Sequence, residues 1–415
     1  MATGNDHFLQ GKKIIVAGAG VAGAAFVTAL YKLWDPALKP PEVIVYDRDT
    51  RESTLAREGY SLSLHGVDKD GGLVAVQQLG MLDEILDASV LGINSGKFKM
   101  WDSNWRELIA VRPKPFGDLP SPSVRIARRD LRRILVEAAE KTPANIHWGA
   151  SCTAARRHED GRIQVTISGE DGQVTEQECD LLIAADGARS KVRASFRPDD
   201  NLQSAGAVQL GGSAYFPQGI PSPLNEDWGL LVSGDGVCCF VSAVDKEHVV
   251  WALSKREEPR GGPRRGMTPE EFSEFKNEAL ELGASFGEQF RTIVEATDAS
   301  TAIVLPAYDK APFSHDMTLQ GVVFLGDANH AVSPFAGNGA NLALKDGWDL
   351  AEKLCKASGL QPAVAAYDKV SLRRAVSTLK SSHQRISLGH CTGFKYMLFM
   401  AGLAAGRFFM SITGQ

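Results

Sequence analysis

The sequence predicts an α/β fold, a parallel-sheet body interrupted by a mixed-sheet lobe and finished by helices. Three observations predict it. Lys13–Ala17, Val21–Leu33 and Val43–Tyr46 read as strand, helix and strand, which is one βαβ unit. From Ile146 to Asp186 the pattern changes to short alternating runs such as Ile163–Ile167, punctuated by turn signals at Asp160-Gly161 and Asp171-Gly172, and Gly206–Leu253 continues in strand-like pieces. At Gly321–Leu325 the buried-strand pattern returns and leads into a long helical stretch from about Gly339 to Ala357.

Each element follows in order. Met1–Gly11 is polar and reads as a lead-in. Trp34–Pro41 carries three prolines, which no helix interior tolerates, so it is an extended surface connection. Gly72–Leu86 and Arg129–Lys141 have apolar residues at three- and four-residue intervals and read as amphipathic helices, separated by the Pro-rich stretch Pro113–Pro122. Lys255–Gly266 is a Gly/Pro/Arg loop, followed by helical stretches at Pro269–Leu282 and Phe286–Thr297. The expected boundaries are 12–205 for the first part of the body, 206–302 for the lobe, 303–360 for the return to the body and 361–415 for C-terminal helices. Phe394–Ile412 is strongly apolar, but Lys395 and Arg407 interrupt it. The run between them is shorter than the ~20 residues a bilayer span requires. It reads as a packed terminal helix, with Met397, Met400 and Met410 as core filler, ahead of an interfacial anchor.

Composition narrows the function. A chain of 415 residues with 44% hydrophobic and 23% charged residues is neither disordered nor fibrous. The formal charge of −5 lacks the basic footprint of a dedicated nucleic-acid binder, so no nucleic-acid partner is expected. Six cysteines form no C-x-x-C pair and no His/Cys metal spacing. No metal site is expected, and with no apolar leader a cytoplasmic location is favoured.

Three motifs carry the chemistry. Gly18-x-Gly20-x-x-Gly23 closes the first strand and opens the first helix, and Asp47, followed by Arg48, ends the second strand. Gly18 permits a tight turn, Gly20 lets a pyrophosphate approach the backbone, and Gly23 lets helix and strand pack closely, while Asp47 would accept from an adenosine ribose. This motif alone does not separate NAD from FAD. The segment from Asp180 is a strand ending in Asp186-Gly187, followed by a small basic helix start. Gly326-Asp327 closes another strand and precedes the Pro/Gly loop Pro334–Gly339 and Asn341.

The spacing of these motifs resembles the class A flavoprotein monooxygenases, the para-hydroxybenzoate hydroxylase-like family, with the tetracycline-inactivating monooxygenases the nearest likeness in motif. Gly59–His65 and Arg125–Arg132 are similar to that subgroup's flavin-contacting segments. The resemblance implies an α/β, Rossmann-like FAD-binding domain with an inserted mixed-sheet substrate lobe and C-terminal helices. It implies FAD as cofactor and NADPH or NADH as a transient co-substrate. By this resemblance Asp327 holds ribityl hydroxyls, Pro334 and Phe335 lie against the isoalloxazine, and Gly337, Asn338 and Gly339 face its pyrimidine edge. Arg128 reaches the cofactor, and Asp186 serves the pyrophosphate or NADPH.

The implied reaction transfers one oxygen atom from O2, through a flavin hydroperoxide, to an electron-rich aromatic, enolic or indolic small molecule, in a natural-product setting and a monomer or homodimer. The alternative is a flavin-holding isomerase, cyclase or ligand-binding protein without net redox turnover. Tyr215, Phe216, Trp228, Phe240 and Trp251 are candidate pocket walls, or else core of the lobe. Arg256, Arg260, Arg264 and Arg265 read as solvated surface or as a phosphate contact. His330 reads as a structural hydrogen-bond partner, and the remaining histidines show no triad or metal spacing.

Overall fold

The computed structural model describes residues 7–56, 60–90, 97–259 and 261–413. The chain enters through β1 (Lys13–Ala17), α1 (Val21–Leu33), β2 (Glu42–Asp47), α2 (Arg51–Ala56) and β3 (Ser61–His65). It continues as α3 (Gly72–Leu79), α4 (Leu82–Asp87), β4 (Phe98–Trp101), β5 (Glu107–Val111), β6 (Ser123–Ala127), α5 (Arg128–Glu140) and β7 (Asn145–Trp148). Gly80, in the left-handed region at φ 85°, ends α3 and splits the single helix expected over Gly72–Leu86 into two.

A small meander follows, β8 (Ala150–Arg157), β9 (Ile163–Gly169) and β10 (Val174–Cys179), then β11 (Leu181–Ala184) and α6 (Lys191–Phe196). The lobe holds β12 (Gln203–Tyr215), β13 (Trp228–Val232), β14 (Val237–Ala243), β15 (His248–Lys255), α7 (Pro269–Leu282), α8 (Gly287–Glu295) and β16 (Ile303–Asp309). The return comprises β17 (Val322–Phe324), α9 (Asp327–His330), α10 (Gly339–Lys356), α11 (Leu360–Gly389) and α12 (Gly393–Thr413).

The body is a parallel five-stranded sheet in the order β17-β11-β1-β2-β7. Its strands are apolar on both sides because both faces are covered. Ile14, Val16, Val43 and Val45 pack with α1 and α10, whereas Ile15, Ile44, Leu182 and Val322 pack with Ile163 and Val165 of the meander. The helices α1 and α10 approach closely because Gly347 has no side chain: a Cβ there would lie 2.7 Å from the Phe26 nitrogen.

The second large sheet has seven strands in the order β16-β12-β15-β14-β13-β4-β5, all antiparallel neighbours except β13 with β4. It draws β4, β5 and β16 from outside residues 206–302. One face carries Leu231, Cys239, Val241, Trp251 and Leu253 against Phe275, Phe286 and Phe290 of the helical cover. On the opposite face, register aligns Met100, Leu230, Phe240 and Ala252 in one row across four strands, all half-buried. The two-stranded ribbon β3–β6 joins this face to the body.

The terminal helix departs from expectation. In α12, Phe394, Met397, Leu398 and Phe408 are exposed while Tyr396, Phe399, Met400 and Leu403 are half-buried, so the helix packs along one stripe and Met397 is not core filler. The Met410 side chain lies outside the described residues. Its contacts are with the edge of the seven-stranded sheet: Tyr396 covers Gly234, between β13 and β14, and Arg407 donates to the Glu107 carbonyl of β5 at 3.1 Å. Among the described residues no helix is long and apolar enough to cross a membrane.

Candidate active site

The carboxyl ends of four adjacent parallel strands bring the sequence motifs together. Reading across the sheet, β17 delivers Gly326 and Asp327, β11 delivers Asp186, β1 delivers Gly18 and Gly20, and β2 delivers Asp47. That edge is where open α/β sheets bind ligands.

The three glycines differ in what they permit. Gly18 has φ 102°, and a Cβ there would meet the Ala185 carbonyl oxygen at 2.5 Å. A Cβ on Gly23 would fall 1.9 Å from the Gly18 carbonyl oxygen, so Gly23 allows α1 to pack on the turn. A Cβ on Gly20 would meet nothing within 4 Å. Gly20 therefore guards an open approach to the N-terminus of the 13-residue α1, where unpaired N–H groups and the helix dipole favour phosphate.

The aspartates divide their tasks. Asp47 is buried and accepts from the Ala19 N–H at 2.7 Å, the Asp49 N–H at 3.0 Å and Arg132 at 3.4 Å. It clamps the glycine turn onto β2 and keeps little capacity for a ligand, while Arg48 points to solvent. One Asp186 oxygen accepts from the Lys191 and Val192 N–H groups, at 2.8 and 3.2 Å, and the other is buried without a partner. Desolvation raises its pKa.

Asp327 opens to solvent on one side. Desolvation by the protein on its other sides raises its carboxyl above the ordinary range, against the charges of His330 and Arg128. Its electrostatic contact with Arg128 joins the start of α5 to the same site. An orphaned Asp186 oxygen, an open glycine cradle and an exposed aspartate at the third strand tip fit a dinucleotide laid along this edge.

The loop Pro334–Gly339 projects toward the lobe, with Pro334 and Gly337 exposed and Gly337 left-handed at φ 57°. Phe335 lies edge-on to His390, with centroids 5.6 Å apart. The Asn338 amide donates to Thr378 Oγ1 at 3.1 Å. Gly339 starts α10, whose N-terminus has no side-chain cap. Asn341 is committed to the protein: Oδ1 accepts from the His65 and Gly72 N–H groups, and Nδ2 donates to the Ser63 carbonyl. It staples α10 to β3 and α3.

Several residues that sequence reasoning left without a role shape the site. Asp346, fully buried, accepts from His330 at 2.6 Å, from Arg374 at 3.0 Å and from the Gly326 N–H at 3.1 Å, so it fixes the Gly-Asp turn from below. Burial alone would raise the Asp346 pKa, but the His330 and Arg374 charges hold it well below the ordinary carboxylate range. Ser371 also reaches His330, at 3.3 Å, but through the Nε2 that already faces Asp346, so this is no nucleophile relay.

Arg193, buried, donates to the Ala188, Asp200 and Ala328 carbonyls and braces the strand tips. Of the proposed walls, Trp251 belongs to the lobe's own core and Phe216 packs against it, Tyr215 is exposed, and Trp228 and Phe240 flank Arg125. Arg264 pairs with Val304 as a bridge, and both Gly59 and Arg260 lie outside the described residues.

A parallel sheet that gathers three nucleotide-binding motifs on one edge and turns it toward an apolar mixed sheet defines a flavoprotein of the two-lobed oxygenase kind. The FAD binding domain family model matches residues 75–375, and the chain belongs to that family, among the class A FAD-dependent monooxygenases, with FAD as its cofactor. Monooxygenase cfoF of Aspergillus candidus is 44% identical over 413 residues, covering 99% of this chain and 98% of that protein. Klebsiella pneumoniae HpxO, solved with FAD and uric acid, superposes with a TM-score of 0.76 at 20% identity, covering 98% of this chain and 96% of that one. Tetracycline destructase Tet(51) superposes at 0.67 and 18% identity, covering 96% and 97%. At these identities the two structures share the fold.

Proposed function

We propose that the protein is an NAD(P)H-consuming monooxygenase that places one oxygen atom of O2 on an electron-rich aromatic, enolic or indolic small molecule, in natural-product tailoring. The observation that carries this reading is that the sheet face bearing the half-buried row Met100, Leu230, Phe240 and Ala252 is tied to the Pro334–Gly339 loop through Ser254, His390 and Phe335, and to the β3–β6 ribbon through Ser242 and Arg125. FAD, when bound, accepts hydride and activates dioxygen. In hydroxylation, one NAD(P)H, one proton, O2 and a substrate C–H become NAD(P)+, water and C–OH.

The chain's own residues supply binding, orientation and dryness. Gly18, Gly20 and the α1 N-terminus take the pyrophosphate, and Asp327 accepts from sugar-chain hydroxyls. Arg128 balances the Asp327 charge. Pro334 and Phe335 would lie beside the ring system, and the N–H groups of Gly337, Asn338 and Gly339 would serve the edge where negative charge gathers on reduction. Asp47 and Asn341 hold the two loops in register. The apolar row holds the substrate and excludes water. A single glycine fingerprint, at Gly18–Gly23, supports a nicotinamide nucleotide that docks transiently near Asp186. Six unpaired cysteines support a cytoplasmic setting.

The test is direct. Purified FAD-loaded protein should be reduced by NADPH or NADH and, with its substrate and labelled dioxygen, should give product carrying one labelled oxygen atom. A flavin that neither nucleotide reduces would overturn the reading in favour of an isomerase, cyclase or binding protein.

A further inference from the structure

The loop Pro334–Gly339 is gripped at its carbonyls. Arg385 of α11 donates to the Phe335 carbonyl at 3.4 Å and to the Ala336 carbonyl, and His65, at the end of β3, donates through Nε2 to the Gly337 carbonyl at 3.3 Å. The main chain of His65 is fixed as well, because its N–H donates to Asn341 Oδ1 at 2.7 Å. Inside the loop, the Ala336 and Gly337 N–H groups donate to the Ser333 and Pro334 carbonyls at 3.0 Å. The Asn338 and Gly339 N–H groups lie at the N-terminus of the 18-residue α10, out of reach of intrahelical acceptors and without a side-chain cap. The open donors of the loop are therefore narrowed to these two.

His65 and the Asn338 N–H act on one peptide group. The Gly337 carbonyl and the Asn338 N–H lie in the same plane and point in opposite directions, so a donor on the carbonyl fixes where the N–H points. It also polarises that N–H, since hydrogen bonds in a chain strengthen one another by roughly 10–30% each. The orientation needs fixing here, because Gly337 is left-handed at φ 57° and a glycine lets the neighbouring peptide turn over at little steric cost. Burial, with the charges of Arg385 and Arg125, lowers the His65 pKa against the pull of the Gly337 bond and of Asp68, so the imidazole is neutral at neutral pH. A neutral ring carries a single N–H, and the Gly337 contact places it on Nε2. Arg385 brings a guanidinium charge to the two carbonyls that precede.

Resting on the placement of this loop at the flavin's pyrimidine edge, we infer that His65, with Arg385 beside it, is a positioning residue that raises the reduction potential of the bound FAD by holding the Asn338 N–H toward that edge. Both side chains act from the carbonyl side of the loop and through its peptide groups. Their support counts for more when the edge carries negative charge than when it is neutral, so it favours the reduced state over the oxidised one. A residue that merely braced the loop would support both states alike.

The test is a reductive titration of the FAD-loaded full chain with dithionite against a reference dye, read by flavin absorbance. It uses neither NAD(P)H nor substrate, so its outcome is separate from that of the monooxygenase reading. His65→Leu should shift the equilibrium toward oxidised flavin by about fivefold, which is about 20 mV in the negative direction for a two-electron couple. Its affinity for oxidised FAD should be nearly unchanged. His65→Gln, whose amide can donate to the same carbonyl, should restore most of the wild-type potential. Arg385→Gln, at an exposed position, should move the potential in the same negative direction even if His65→Leu fails to fold. A potential unmoved in His65→Leu, or in Arg385→Gln where the Leu variant does not fold, overturns the inference, and so do equal shifts in the Leu and Gln variants of His65. Gly339→Pro deletes one loop N–H at a position where helices accept proline. If it moves the potential and His65→Leu does not, the loop stays at the flavin and the role of His65 falls; if neither moves it, the loop placement falls too.

Discussion

A methyl group added at Gly23 would sit 1.9 Å from the Gly18 carbonyl oxygen, whereas one added at Gly20 would touch nothing within 4 Å. Two glycines of one motif should therefore fail in different ways. Gly23→Ala should destabilise the apoprotein by about 1–3 kcal/mol, because the helix cannot back away from the turn without losing its packing. Gly20→Val should fold like wild type yet bind little FAD, because its side chain fills the pyrophosphate approach. Chemical denaturation and the flavin absorbance per mole of protein separate the two outcomes, and a normally loaded Gly20→Val would remove that residue from the site. Asp327→Ala tests the opposite tip of the sheet. Asp327 is exposed, so its loss should leave the denaturation midpoint nearly unchanged. Hydrogen bonds to a carboxylate contribute about 1.5–3 kcal/mol, so FAD should bind roughly ten- to a hundredfold more weakly by titration of the apoprotein.

Beneath that tip, α9, α10 and α11 are held by His330, Asp346 and Arg374, and the pKa shifts give this support a pH signature. Burial lowers the His330 pKa, but the Asp346 carboxylate wins and raises it above the ordinary 6.5. A raised histidine stabilises the fold fully below its unfolded pKa and loses that contribution as pH rises through the folded value. The depressed Asp346 acts on the other side, its contribution being lost only in strong acid. Wild-type stability should thus decline from neutral toward mildly alkaline pH, and His330→Gln should flatten that slope in denaturation midpoints measured across the range. Asp346→Asn, which leaves buried Arg374 and His330 short of their counter-charge, should cost about 3–5 kcal/mol. The strand, Gly-Asp and helix of this region were legible because glycine and aspartate punctuate a strand end. The network was not: Asp346 and Arg374 are 28 residues apart and look, in sequence, like solvated charges on two helices. The bonds of Asn341 were hidden for a related reason, since its position after a glycine-rich loop points to a ligand and says nothing of His65, Gly72 and Ser63, to which its side chain runs.

At the scale of the molecule, the parallel body could be read because its strands are buried on both faces and appear as unbroken apolar runs. The lobe's sheet could be read only in part. Its strands β4, β5 and β16 come from either side of residues 206–302, and pairing across such separations leaves no local trace. The terminal helix shows the converse limit. Phe394–Ile412 has the composition of a core helix, but whether an apolar helix is buried depends on what surface remains to receive it, and here the seven-stranded sheet presents an edge around Gly234 and Glu107. An element attached so lightly should contribute little to global stability. A chain ending after Thr392 keeps His390, which touches Ser254 and Phe335, and so keeps the floor of the site. Its thermal midpoint should move by no more than the ~2–4 °C that corresponds to about 1 kcal/mol in a domain of this class, with FAD occupancy unchanged. The same truncation removes the exposed Phe394, Met397, Leu398 and Phe408, so fluorescence of a hydrophobic dye added to the folded protein should drop sharply. A large fall in melting temperature with no loss of dye binding would mean that α12 packs on the body in solution and that its apolar face is core after all.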